Sequence, residues 1–270
     1  MIIKTDNLDL NELDVFVRLR EPQLYHHDEP APGLFLAEGI PVCERALDAG
    51  FQPVSVLAED RHIDRQFAPL IARLGEEIPV YSVPFDVLKE ITGYSLTGGF
   101  LCAMRRKELP SPETVLQNAD KIAILERITN PTNIGAIVRS AAALSVDALL
   151  FTRDSCDPLC RRAIRVSMGT IFQIPWTVLD MERPGEAVTF VKDFGYETVA
   201  MALRDDATEL GTQGFSFAGK TALFFGSEGD GLSPETISAC DRCVRIPMRA
   251  GVDSLNVAAA SAVAFWELTR

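Results

Sequence analysis

Three stretches in the second half of the chain carry residue types suited to chemistry rather than packing. The first is Asn130-Pro-Thr-Asn133-Ile-Gly135, running on to Arg139. The second is Gly226-Ser-Glu228-Gly229-Asp-Gly231-Leu-Ser233. The third is Ile246-Pro247-Met248, running on to Ser254-Leu255-Asn256. Each follows an apolar run and precedes a helical pattern. Each holds amides, hydroxyls, an acid or an arginine where buried chain would hold apolar residues. Polar strand-to-helix loops at the carboxyl ends of strands are where α/β sheets bind ligands. Glycines let the backbone turn sharply and approach a ligand closely, so the second stretch suits recognition by main-chain groups. Its glycines stand at the wrong offsets for GxGxxG or GxxxxGK[ST], which excludes the commonest dinucleotide and phosphate-loop readings.

Each stretch also has a plainer reading. Ser233 is a good helix N-cap with Pro234 at the first helical position, and a simple turn needs no more. That turn does not explain three glycines and an acid within six residues. In the first stretch Asn133 and Thr132 are rival caps, and capping leaves Asn130 and Arg139 without a task. Gly135 and Arg139 are four apart and share a helix face, the glycine making room and the arginine reaching over it. Either Ser254 or Asn256 caps the last helix, whose alanine-rich start allows tight packing on a sheet or a second subunit.

The triplet closely resembles the three motifs of the SpoU (TrmH-like) family of RNA ribose methyltransferases, in the SPOUT superfamily. Asn133, Gly135 and Arg139 match the first motif. Gly226, Glu228, Gly229 and Gly231 match the second, and Pro247, Ser254, Leu255 and Asn256 the third. The resemblance implies S-adenosylmethionine as cofactor, held by Leu203, Gly226, Glu228, Gly229, Ile246, Met248, Ser254 and Leu255. It implies methyl transfer to a ribose 2′-hydroxyl of RNA, with Asn133, Arg139, Glu228, Ser254 and Asn256 as the catalytic set. It also implies a homodimer and a deep trefoil knot near the carboxyl end. Arg165, in Arg161-Arg-Ala-Ile-Arg165, resembles a family segment near the RNA and joins Arg139 as an expected RNA contact. A guanidinium keeps its proton at ordinary pH, so Arg139 suits holding a phosphate or a developing alkoxide better than acting as a base.

The elements that must position these loops are legible as alternating strands and helices. Lys121–Leu125, Ala148–Phe151, Ile174–Val178, Thr198–Ala202, Thr221–Phe225 and Val244–Ile246 read as apolar strands. Helices are expected over Asn133–Leu144, Pro158–Val166, Pro184–Phe194, Pro234–Ala239 and Val257–Leu268. Continuous apolar strands alternating with helices predict a parallel sheet covered on both faces. Leu109–Asn118, with two prolines, reads as a linker, giving domains over 1–110 and 118–270.

The first domain is mixed α/β. A helix is expected over Leu8–Arg20, a break at Glu29-Pro-Ala-Pro-Gly33, and strands at Leu34–Leu36, Val54–Leu57, Val80–Val83 and Gly98–Met104. Phe35-Leu-Ala-Glu38-Gly39 and Ile91-Thr-Gly93-Tyr94 with Gly99 resemble the small ribosomal-protein-like substrate-binding domain that precedes the catalytic domain in this family. That likeness favours large-subunit ribosomal RNA as substrate over transfer RNA. A non-catalytic RNA- or ribosome-binding protein of the same fold is the alternative of a different class.

The chain carries a net charge of −12. Neither half is basic, so any RNA surface is a local patch, with Arg139, Arg161, Arg162 and Arg165, or Arg105-Arg-Lys107, as candidates. Cys240-Asp-Arg-Cys243 lacks a second ligand pair of similar spacing, and the cysteines read as reduced, structural and metal-free. No apolar run approaches the roughly 20 residues of a membrane span. The acidic start lacks a signal-peptide pattern, so a cytoplasmic protein is expected.

Overall fold

The computed structural model describes residues 1–7, 9–27, 33–92, 99–212, 216–217, 219–249, 251 and 254–270. The expected break at Glu29-Pro-Ala-Pro and the Gly93-Tyr94 motif lie outside them. The chain divides into two compact units, Met1–Glu108 with Leu159–Phe172, and Leu109–Pro158 with Gln173–Arg270. Within 118–270, Leu159–Phe172 clusters with the first unit.

In the first unit, β1 (Ile2–Lys4), β2 (Leu34–Glu38), β3 (Pro53–Glu59), β4 (Val80–Val83) and β5 (Phe100–Arg105) form a mixed sheet of order β1-β4-β3-β5-β2. The expected helix over Leu8–Arg20 is broken into a turn of 3-10 helix at Asn11–Leu13 and a short helix Asp14–Val17, followed by a separate helix Glu21–Tyr25. Pro22 has no N–H to bond one turn back, so it sits in the first turn of a new helix.

In the second unit, β6 (Lys121–Leu125), β7 (Ala148–Thr152), β8 (Trp176–Leu179), β9 (Glu197–Met201), β10 (Thr208–Glu209), β11 (Thr221–Phe225) and β12 (Arg242–Arg245) form a parallel sheet of order β10-β12-β9-β11-β6-β7-β8. Its central strands are mostly apolar because both faces are covered. Ile122, Ile124, Leu150, Ala222 and Phe224 pack on one face with Leu116, Val188 and Val191 from helices Pro112–Gln117 and Glu186–Asp193. On the other face Phe225 meets Phe265 of helix Val257–Thr269 edge-on, with ring centroids 5.6 Å apart.

The expected linker contains the helix Pro112–Gln117. Ser111 caps it by accepting the Thr114 N–H, and Pro112 takes the first helical position, where its missing N–H costs nothing.

Candidate active site

Sheet topology explains why loops distant in sequence meet. Strands β12, β9, β11 and β6 are neighbours and parallel, so their carboxyl ends share one edge. Leu125 pairs with Phe225 and Phe224 with Ala200, which sets Glu126, Gly226 and the chain beyond β9 at similar height. A cavity of about 540 Å³ opens at this edge, lined by residues 201–204, 225–232, 244–246, 248 and 254–257. Leu203, Gly226, Glu228, Gly229, Ile246, Met248, Ser254, Leu255 and Asn256 all lie on its wall. Leu203 and Leu255 are large apolar side chains left 56% and 40% exposed, which gives the cavity apolar surfaces beside main-chain donors and acceptors.

A chain of side-chain hydrogen bonds ties the three stretches together. Asn256 caps helix Val257–Thr269, its Oδ1 accepting the Ala258 N–H at 2.9 Å. That contact fixes the amide's orientation and leaves Nδ2 to donate to Asn133 Oδ1 at 3.2 Å. Asn133 Nδ2 in turn donates to Glu228 Oε1. Asn133 is buried and is free for this task because it is not the cap of its own helix. Asn130 is the cap of helix Pro131–Ala143, accepting the Thr132 N–H at 2.9 Å with Pro131 at the first position. The rivalry between Asn133 and Thr132 is thus resolved in favour of neither.

The Gly226–Ser233 loop is tightly closed. The Gly231 N–H donates to the Ser227 carbonyl at 3.0 Å. A Cβ on Gly226 would stand 2.1 Å from the Gly231 carbonyl carbon and the Leu232 nitrogen, so only glycine fits there. Ser233 caps helix Pro234–Ala239 by accepting the Thr236 N–H at 3.2 Å, as its sequence predicts.

Two expected site residues are not joined to this set. Arg139 is exposed on helix Pro131–Ala143 one turn beyond buried Gly135; among the described residues it makes no hydrogen bond or ion pair, and it does not line the cavity. Arg165 belongs to the first unit, where helix Arg161–Val166 faces the buried carboxylate of Glu38, 3.0 Å from Arg161 and 3.7 Å from Arg165. That acid lies 123 residues before Arg161 in sequence.

Other residues at this edge carry no motif. Arg204 and Arg245 line the cavity, each paired with an acid, Asp206 at 2.8 Å and Glu209 at 2.9 Å. Glu126, the first polar residue after the apolar β6, is buried at the base of the glycine loop. Only its position at a strand end could have singled it out. Burial pushes the Cys240 thiol up to about 12 and raises Cys243 as well. Thiols held protonated are poor metal ligands and nucleophiles.

The wall offers carboxylates at Glu228 and Asp230 and arginines already neutralised by acids. Such a lining suits a flat, apolar-faced ligand read by main-chain groups and disfavours a polyphosphate.

Comparison with known proteins fits this geometry. The sequence profile of the SpoU rRNA Methylase family matches residues 120–266. An uncharacterized tRNA/rRNA methyltransferase of Mycobacterium tuberculosis is 37% identical over 266 residues, covering 98% of this chain and 88% of the relative. The 23S rRNA (guanosine-2′-O-)-methyltransferase RlmB of Acinetobacter baylyi is 29% identical over 242 residues, covering 86% and 95%. Among solved structures, an AdoMet-bound rRNA methyltransferase from Sinorhizobium meliloti superposes with a TM-score of 0.78 at 23% identity, covering 98% of this chain and 97% of that one. The α/β fold with its parallel sheet is therefore shared with these enzymes, and the chain belongs to the SpoU rRNA methylase family.

Proposed function

We propose that this protein is an S-adenosylmethionine-dependent RNA 2′-O-ribose methyltransferase acting on large-subunit ribosomal RNA. The observation that carries the reading is the Asn256–Asn133–Glu228 hydrogen-bond chain, which draws all three motifs to one cavity edge. The cofactor fits the lining. Main-chain groups of residues 226–229, 246–248 and 254–255 read the adenine edge, while Leu203 and Leu255 cover its faces. When bound, adenosylmethionine supplies an electrophilic methyl carbon. The chain's own task is to orient the ribose and stabilise charge as the hydroxyl loses its proton. Glu228, held by Asn133 at one carboxylate oxygen, keeps the other for the substrate side. Ser254 and Asn256 complete the polar wall. Arg139, unpaired among the described residues, supplies charge-assisted hydrogen bonds to an RNA phosphate or the developing alkoxide.

In this reading residues 1–110 form the RNA substrate-binding domain and 118–270 the catalytic domain with its trefoil knot, and Arg165 contacts RNA from the segment that packs with the first unit. The protein is cytoplasmic. It works as a homodimer, a state supported by the apolar face of helix Val257–Thr269, where Val263 and Trp266 are exposed. Sedimentation should show a dimer that Trp266→Glu converts to monomer.

Labelled adenosylmethionine should bind and its methyl group should appear on ribose in ribosomal RNA. Mapping ribose methylation in cells lacking the protein should reveal one missing site. A missing site in transfer RNA would move the substrate, and binding without transfer to any RNA would overturn the enzymatic reading.

A further inference from the structure

We propose that Glu126 and Arg127 are positioning residues for methyl transfer, acting through the Gly226–Ser233 loop that walls the cavity. The inference rests on reading that cavity as the adenosylmethionine site. Neither residue lines it.

Glu126 holds both ends of the loop. Its main-chain N–H donates to the Phe225 carbonyl at the entry, 2.8 Å away. Its carboxylate serves the exit: Oε1 accepts the Ser233 N–H at 2.8 Å and Oε2 accepts the Thr236 hydroxyl at 2.5 Å. The residue is only 8% exposed. A buried carboxylate is costly unless its lone pairs are filled, and simple packing at the end of an apolar strand would be served by leucine. The partners chosen here are the cap residue and first turn of the helix that ends the loop.

Arg127 grips the loop between those ends. Its Nη2 donates to the Gly231 carbonyl at 3.3 Å, and its Nε lies 3.9 Å from Glu126 Oε1. The main chain is in the left-handed region, with φ of 55°, a conformation that is strained for a non-glycine residue. Its N–H donates to Thr152 Oγ1 at 3.0 Å, which holds that conformation. The exposed tip, Glu228 to Asp230, thus hangs from a base fixed at entry, crown and exit by two consecutive residues. Loosening that base shifts the main-chain groups offered to the cofactor and the carboxylate offered to Asn133.

The test compares the parent with Glu126→Gln, Arg127→Ala and Arg127→Lys. Adenosylmethionine Kd is read by calorimetry, with kcat, KM for RNA and Tm. Glu126→Gln and Arg127→Ala should each raise Kd about tenfold, the equivalent of one lost hydrogen bond to a charged group, and leave KM for RNA unchanged. Arg127→Lys, which keeps a donor for Gly231, should recover part of the loss. If Glu126→Gln fails to fold, half-exposed Arg127 decides alone. Variants that lose Tm but bind adenosylmethionine like the parent would overturn the inference while leaving the cavity assignment standing. A parent that binds no adenosylmethionine would overturn that assignment itself.

Discussion

Asn256 Nδ2 donates to Asn133 Oδ1 at 3.2 Å, across 123 residues of sequence. Because the Ala258 N–H occupies Asn256 Oδ1, the polarity of this bond is fixed, and it passes through Asn133 to Glu228. Replacing the middle member should therefore be worse than an ordinary loss of one amide. Asn133→Asp sets a carboxylate against Glu228 where a donor stood. Transfer should fall about a hundredfold, as expected for misplacing groups that orient a substrate. The stability cost should be about 1–3 kcal/mol, since a buried polar group loses its match. Single-turnover transfer and urea unfolding check the two numbers, and unchanged transfer would remove the bond chain from the mechanism.

Arg139 stands apart from the cavity lining and should separate the two halves of the reaction. Arg139→Ala should leave adenosylmethionine Kd nearly intact and lower transfer by roughly a hundredfold or more, the scale of a lost transition-state donor. Arg139→Lys should rescue little, because a point charge does not replace a planar fork. Calorimetry beside a transfer assay reads both. Equal loss of binding and transfer would contradict its proposed placement on the RNA side.

Gly226→Ala tests the closed loop. The added methyl meets main-chain atoms at 2.1 Å, which cannot rotate away as a side chain could. Strain of about 2–3 kcal/mol is expected, together with loss of cofactor binding. Gly229→Ala, where a Cβ meets nothing within 4 Å, should leave stability unchanged. Thermal unfolding of the two variants should differ sharply, and similar melting would show that the loop yields.

Acid should loosen the join between β9 and β12. Burial works against charge on Asp241, but Lys192 and Thr198 outweigh it and hold the carboxyl below its usual value. Lys192 Nζ lies 2.7 Å from Oδ1, and the Thr198 N–H and hydroxyl donate to Oδ2 at 2.9 and 2.8 Å. A lowered folded-state pKa gives stability that is present above the unfolded value, about 3.9, and lost as pH falls through the folded value. Asp241→Asn should destabilise the protein at neutral pH and flatten the acid limb of Tm against pH. An unchanged acid limb would assign the loss to other carboxylates.

Local chemistry was enough to read most of the second unit from sequence. Apolar runs such as Thr221–Phe225 are strands because both faces of a parallel sheet are buried, and Ser233-Pro234 starts a helix because it satisfies that helix's own first turn. The polar loops were visible as ligand chemistry out of place in an apolar pattern. Pairings between distant segments were not visible. Nothing local tells Asn130 from Asn133 as the cap, since both are amides near the same turn, and only the presence of Glu228 and Asn256 gives Asn133 its task. Glu126 carries no motif, and its partners Ser233 and Thr236 are visible only in the fold. Leu159–Phe172 follows the chain of the second unit yet clusters with the first, where Phe172 packs on Phe35 and Phe51 and Arg161 and Arg165 meet the Glu38 carboxylate. Short strands such as Ile2–Lys4 and Thr208–Glu209 have too few residues to show a period and exist because a neighbouring edge offers them hydrogen bonds. Periodicity and capping are written within a few residues of each other, whereas the partners of a buried polar group are chosen by the sheet order, which only the folded chain supplies.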